Sequence, residues 1–184
     1  MKVIITNRIA EEELISCLYK INSKKIEDVA SYKKGLLFGK GKRSNDFQLF
    51  EQMYKERFSI IETVEKDLIN IMSHLIKSDV IIMDSFFHIL GGHSLKNGTA
   101  PHHHITSFDQ AKGLIKQKFS LTYYLSVGDQ NCSEPGYLKF KDPEEEILPS
   151  NGMIVIFPSQ RVHWAVYNGK ADRVMIGINF YSIV

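Results

Sequence analysis

Residues 101–109 read PHHHITSFD, so three of the chain's 7 histidines stand side by side after a proline. Neutral imidazole is the commonest protein ligand for a metal ion. On an extended backbone, residues two apart point to the same side. His102 and His104 can therefore meet one ion while His103 faces away. A third donor has to come from elsewhere, and His163 is the candidate, at the mouth of the strand that follows GMIVIF and the turn PSQRV. Ten positions later Arg173 opens the last strand. A hairpin through Asn168-Gly169 would bring Arg173 close to His163. A histidine run by itself is as often an adventitious metal binder on a loop, so its neighbours decide.

The elements that must position these residues differ between the two halves. After a short apolar start (Val3, Ile4, Ile5), the first half carries the 3.6-residue period of amphipathic helices. One helix begins near Glu11–Glu13 and buries Leu14, Cys17 and Leu18. A second is capped by Asn45 and shows Phe47, Phe50, Met53 and Tyr54 on one face. A third opens at Ser59-Ile-Ile-Glu62, a capping-box pattern, and buries Ile61, Val64, Leu68, Met72 and Leu75. Residues 21–43 read as loop or short strand. From about residue 80, short apolar or alternating runs are separated by turn residues: VIIMDSFFHIL, FSLTYYLSV, GYLKF, GMIVIF, HWAVY and RVMIGINFY. Residues 91–100 read as a polar loop. Helices first and strands afterwards predict one α+β domain over 1–184, with a helical support layer (1–79) backing a small β-barrel (80–184).

Composition narrows the function classes. The chain has 184 residues, 43% hydrophobic and 24% charged, as expected of one globular unit. A formal charge of +2 argues against a nucleic-acid partner. No apolar run approaches a membrane span. The opening MKVIITNR turns polar too soon for a signal peptide. Cys17 and Cys132 fall in a helix and a turn with nothing to pair them, which points to the reducing cytoplasm. The sequence leaves the oligomeric state open.

In order, the β half carries His102-His103-His104, Tyr123-Tyr124-Leu125, Gly136-Tyr137-Leu138, Ile156-Phe157-Pro158-Ser159, His163 and Arg173. This succession resembles the iron(II)- and 2-oxoglutarate-dependent dioxygenases, in particular the prolyl-hydroxylase-like branch, over about residues 84–184. The resemblance implies a double-stranded β-helix (a jelly roll, cupin-like) with Fe(II) held by His102, His104 and His163. It implies that Arg173 takes the distal carboxylate of the cosubstrate 2-oxoglutarate, with help from the hydroxyl of Tyr124 or else Tyr123. Arginine suits that task, because its planar fork matches a carboxylate in bidentate geometry. Three ligands on one face of iron leave positions for the oxo acid and O2. The activity implied is hydroxylation of an unactivated C–H bond in a peptide, protein or small molecule, with release of succinate and CO2.

One departure stands out: the family has a carboxylate where this chain has His104. Asp109, five residues on, is the alternative acidic ligand. Residues 105–118, with three lysines, read as a loop over the site that could touch substrate. His88 reads as a core or rim histidine, His74 as a surface position, His93 as a surface position with an approach to the pocket as the alternative, and Trp164 as packing with lining of the substrate pocket as the alternative. Two rival readings keep the same residues. One is a three-histidine iron dioxygenase that chelates its substrate directly. The other is a metal-holding barrel that only binds a partner.

Overall fold

The computed structural model describes residues 2–26, 37–91 and 97–183. His93 lies outside the described residues. In chain order the elements are β1 (Ile4–Asn7), α1 (Glu12–Lys20), β2 (Lys24–Ile26), β3 (Leu37–Phe38), β4 (Gly41–Arg43), α2 (Leu49–Lys55), α3 (Ile60–Ile76) and β5 (Asp79–Leu90). They continue with β6 (Asn97–His102), α4 (Ser107–Ala111), β7 (Lys118–Ser126), β8 (Leu138–Phe140), β9 (Glu145–Ile147), β10 (Met153–Pro158), β11 (His163–Tyr167) and β12 (Arg173–Ile183).

The strands form a 7-stranded sheet, β1-β10-β7-β12-β5-β4-β2, and a 5-stranded sheet, β3-β6-β11-β8-β9. Neighbouring strands run antiparallel throughout. This is the jelly-roll architecture expected, but the two sheets do not close into a barrel.

Side chains alternate across each strand, and that alternation sorts the larger sheet into two faces. Phe119, Leu121 and Tyr123 of β7, Ile176, Ile178 and Phe180 of β12, and Phe87 and Ile89 of β5 pack in one core with the helices. α3 supplies Ile61, Val64, Leu68 and Met72 to that core, a stripe with helical spacing. Each such side chain contributes about 1.5–3 kcal/mol by leaving water. Residues of opposite parity face the smaller sheet: Ser120, Thr122 and Tyr124 of β7, Met175 and Asn179 of β12, and Phe86 and His88 of β5.

Several sequence expectations are corrected. The first 79 residues are more than a helical layer, since β1, β2 and β4 extend the larger sheet and β3 the smaller. The polar loop expected over 91–100 contains most of β6. Ser59 has helical backbone angles and makes no side-chain cap, so the capping box does not form. Asn45 turns its side-chain amide to the Asn22 carbonyl at 3.1 Å rather than capping α2. Phe47 and Tyr54 are exposed. β11 and β12 do not pair; the segment between them crosses from the smaller sheet to the larger. Tyr167 holds this crossing, its hydroxyl donating to the Ala171 carbonyl at 2.5 Å and accepting from the Asp129 N–H at 2.8 Å.

Candidate metal centre and anion pocket

Two strand pairings of the smaller sheet build the histidine end of the cleft between the sheets. β6 lies against β11 with His102 opposite His163. That close approach depends on Gly98, whose φ is +150° and whose missing Cβ would sit 1.9 Å from the Ala165 carbonyl oxygen. On its other side His163 is opposite Phe140 of β8. His104 lies just past the end of β6, fixed by its own N–H donating to the Ser159 carbonyl at 2.9 Å.

The three rings converge. Centroids are 4.4 Å apart for His102–His163 and 5.0 Å for both His102–His104 and His104–His163. One ligand nitrogen from each lies within 4.8 Å of the others. His102 Nδ1 is 2.8 Å from the Ala100 carbonyl, and His163 Nδ1 is 3.0 Å from the Arg161 carbonyl. A carbonyl only accepts, so both rings carry their proton on Nδ1 and keep Nε2 as a free donor atom. Burial lowers the pKa of all three rings, to about 3 for His163, and the neighbouring imidazoles add to the effect at His104 and His163. Near neutral pH all three are uncharged, the form that binds a metal.

Among the described residues no carboxylate joins this group. Asp109 is fully buried elsewhere, in the first turn of α4. Its carboxylate accepts from Lys118 Nζ at 2.8 Å, from the Thr106 N–H at 2.6 Å and from the Tyr181 hydroxyl. The alternative of Asp109 as the acidic ligand is therefore overturned: its oxygens are occupied. The segment expected as a loop with three lysines carries α4, and its last lysine, Lys118, is buried against Asp109.

At the other end of the cleft stands Arg173, 2% exposed. Its guanidinium carbon lies 5.1 Å from the centre of the Tyr124 ring. Gly136, at φ +88°, lets the chain pass close over this guanidinium; a Cβ there would stand 3.1 Å from the guanidinium carbon. Among the described residues Arg173 has no ion-pair partner, and two buried polar atoms of residues lining this cleft, Arg173 Nε and Thr122 Oγ1, have no hydrogen bond. Burial lowers the Arg173 pKa against the pull of Tyr124 and Tyr167. Buried polar atoms without partners are rare, and two in one pocket point to a missing acceptor.

Tyr123, the second candidate for the carboxylate, is on the opposite face. Its hydroxyl accepts from Arg8 Nη1 at 3.0 Å and donates to the Ile9 carbonyl. Sequence reasoning did not single out Thr122, Asn179 or Asp84; it placed His88 in the core or at the rim, and read Trp164 first as packing and second as a wall of the substrate pocket. Thr122, Asn179, His88 and Trp164 line the cleft. Parity along β7 held a usable signal, since Tyr124 shares its face with the polar Ser120 and Thr122.

No protein-family model matches the sequence, and no curated protein matches it. Solved structures do match. A viral collagen prolyl hydroxylase from Paramecium Bursaria Chlorella virus-1, in complex with 2-oxoglutarate, aligns over 100% of this chain and 97% of its own at TM-score 0.56 and 11% identity. A prolyl hydroxylase from Trichoplax adhaerens, in complex with a hypoxia-inducible-factor peptide, aligns over 98% and 83% at TM-score 0.57 and 12% identity. HygX from Streptomyces hygroscopicus, with nickel, 2-oxoglutarate and hygromycin B bound, aligns over 98% and 82% at TM-score 0.61 and 7% identity. The chain shares the fold of these oxygenases. The likeness takes in the N-terminal helices as well as the two sheets, since each alignment spans nearly the whole chain.

Proposed function

We propose that the chain is an Fe(II)- and 2-oxoglutarate-dependent oxygenase that hydroxylates an unactivated C–H bond and releases succinate and CO2. The observation that carries this reading is one cleft with two ends. Three neutral imidazoles converge at one end; at the other stands the buried Arg173 guanidinium, with no ion-pair partner among the described residues, and its Nε and the Thr122 hydroxyl of the same cleft have no hydrogen bond. Solved structures of the same fold bind 2-oxoglutarate.

The residues fit the cofactor. Three nitrogen donors suit a divalent iron and leave coordination positions open. Two of the rings are held from behind by backbone carbonyls, the support usual for metal-binding histidines. Charge fits as well. With no carboxylate ligand, the iron's two positive charges and the charge of Arg173 would make three, and a dianion would offset two of them. 2-Oxoglutarate is a dianion.

His102, His104 and His163 hold the metal. Arg173 takes the distal carboxylate of 2-oxoglutarate in its fork, and Tyr124 and Thr122 complete that pocket with their hydroxyls. Phe157, Leu138 and Met175 wall the cleft with apolar surface and keep water from it. When bound, iron, 2-oxoglutarate and O2 would supply the oxidising power: one oxygen atom enters the substrate as hydroxyl and the other enters succinate. The fold accepts either a peptide or a small molecule, as the neighbours bound to a peptide fragment and to hygromycin B illustrate.

The test is succinate formation and O2 uptake by the purified protein with Fe(II) and 2-oxoglutarate, beside His163→Ala. Turnover that the substitution abolishes supports the oxygenase. O2 uptake that ignores 2-oxoglutarate would instead favour direct chelation of substrate.

A further inference from the structure

A second opening reaches His104 from outside the cleft, lined by Phe47, Asp84, Phe86, Thr106, Lys118 and Asn179 among others. We propose that this mouth binds a cationic group of the substrate, a primary ammonium or guanidinium, between the Asp84 carboxylate and the rings of Phe47 and Phe86. The inference rests on the oxygenase reading only for the word substrate; the site itself stands on the residues.

Asp84 is half-buried on β5 and held in one orientation. Its Oδ1 accepts from Asn179 Nδ2 at 2.7 Å. The Asn179 carbonyl accepts from the Ser120 hydroxyl at 2.7 Å, and that hydroxyl lies 2.8 Å from the Ser159 hydroxyl. The relay fixes which end of the Asn179 amide meets the carboxylate. Among the described residues Asp84 has no ion-pair partner. The nearby cation, Lys118, is engaged elsewhere, 2.8 Å from Asp109 and with its ammonium 5.5 Å from the centre of the Tyr181 ring. Burial pushes the Asp84 carboxyl up against the pull of Asn179 and Lys118, so a cation arriving beside it would relieve a desolvated anion.

The aromatic side of the mouth is also built. Phe47 is 44% exposed, an unusual place for a large apolar ring. It is held there by two successive non-glycine residues with positive φ, Asp46 at 48° and Phe47 at 57°. The Ser85 N–H donating to the Phe47 carbonyl at 3.0 Å fastens this turn to β5 next to Asp84. Phe47 meets Phe86 edge to face, with ring centroids 5.4 Å apart. Aromatic faces attract cations, and a carboxylate offers only acceptors, so the pair selects an ammonium or guanidinium over an anion.

The probe is n-butylammonium, with butyrate and n-butanol as controls, titrated into the metal-free protein and followed by ligand-observed NMR. The ammonium should bind in the millimolar range or tighter, and both controls at least tenfold more weakly. Asp84→Asn, which keeps the acceptor for Asn179, should weaken the ammonium at least tenfold, and Phe47→Ala severalfold, with thermal melts confirming that both variants fold. Ammonium binding no stronger than that of the controls, or unchanged in Asp84→Asn, overturns the proposal. Because this binding needs neither iron nor 2-oxoglutarate, the two readings fail separately. A protein that binds the amine but makes no succinate keeps the cation site and loses the oxygenase; one that makes succinate and ignores the amine does the reverse.

Discussion

The two faces of β7, β12 and β5 are made from the same strands, yet they solve opposite problems. The face under the helices is filled by Phe119, Leu121, Ile176, Ile178, Phe180 and Phe87, and its one phenol, Tyr123, is satisfied by Arg8 and the Ile9 carbonyl. The face turned to the smaller sheet buries Arg173 and Thr122 with atoms that have no partner. Apolar packing is concentrated on the first face, and the second carries the groups that the proposed chemistry would use. A strand with period 2 can serve both because neither set of side chains constrains the other.

Substitutions on the two faces should therefore separate stability from ligand binding. The largest effect expected is at Phe180, fully buried and 5.6 Å from Phe119 in a stacked pair. Phe180→Ala should cost about 3–5 kcal/mol of folding stability, read by urea unfolding, while folded protein binds 2-oxoglutarate as before. Arg173→Met should do the reverse. Affinity for 2-oxoglutarate should fall about 100-fold, roughly 3 kcal/mol, with a melting temperature equal to or above wild type, because an unpaired buried charge has been removed. A large loss of stability in Arg173→Met would erase the distinction between the faces.

The smallest effect sharpens the comparison at the cleft's edge, where Lys118 of the inner face is paired with Asp109. Burial alone would raise the Asp109 carboxyl, but hydrogen bonds from Lys118, Tyr181 and Thr106 outweigh it and hold it well below the usual carboxylate range. A carboxyl held low contributes stability above its ordinary pKa, near 4, and loses that contribution as pH falls further. Asp109→Asn should be less stable than wild type at pH 7, and the gap should narrow as the pH drops below about 4. A gap that is constant with pH would mean the pair contributes nothing through its charge.

What the sequence made legible follows from the same comparison. Most strands after residue 80 were readable because their apolar runs face a core; β9 was not, since Glu144–Glu146 read as a solvated acidic turn. His102, His104, His163 and Arg173 were readable because few other roles need those types at that spacing. β6 was hidden: NGTAPH has no apolar alternation, and it becomes a strand through its pairing with β11 and the room left by Gly98. Thr122 looks like any strand threonine until its hydroxyl is found without a partner. Choosing between Tyr123 and Tyr124 required knowing which face the helices cover. The hairpin imagined between His163 and Arg173 was wrong in topology, yet the two residues still share a cleft, because the chain crosses between the sheets that form it.

The central claim is that the three histidines and Arg173 are two ends of one cosubstrate site. Anaerobic calorimetric titration of 2-oxoglutarate into the Fe(II)-loaded protein tests it most directly. The account predicts one equivalent bound, weakened about 100-fold in Arg173→Met and similarly when the metal is removed. Binding that survives both changes, or no binding to the loaded wild type, would contradict it.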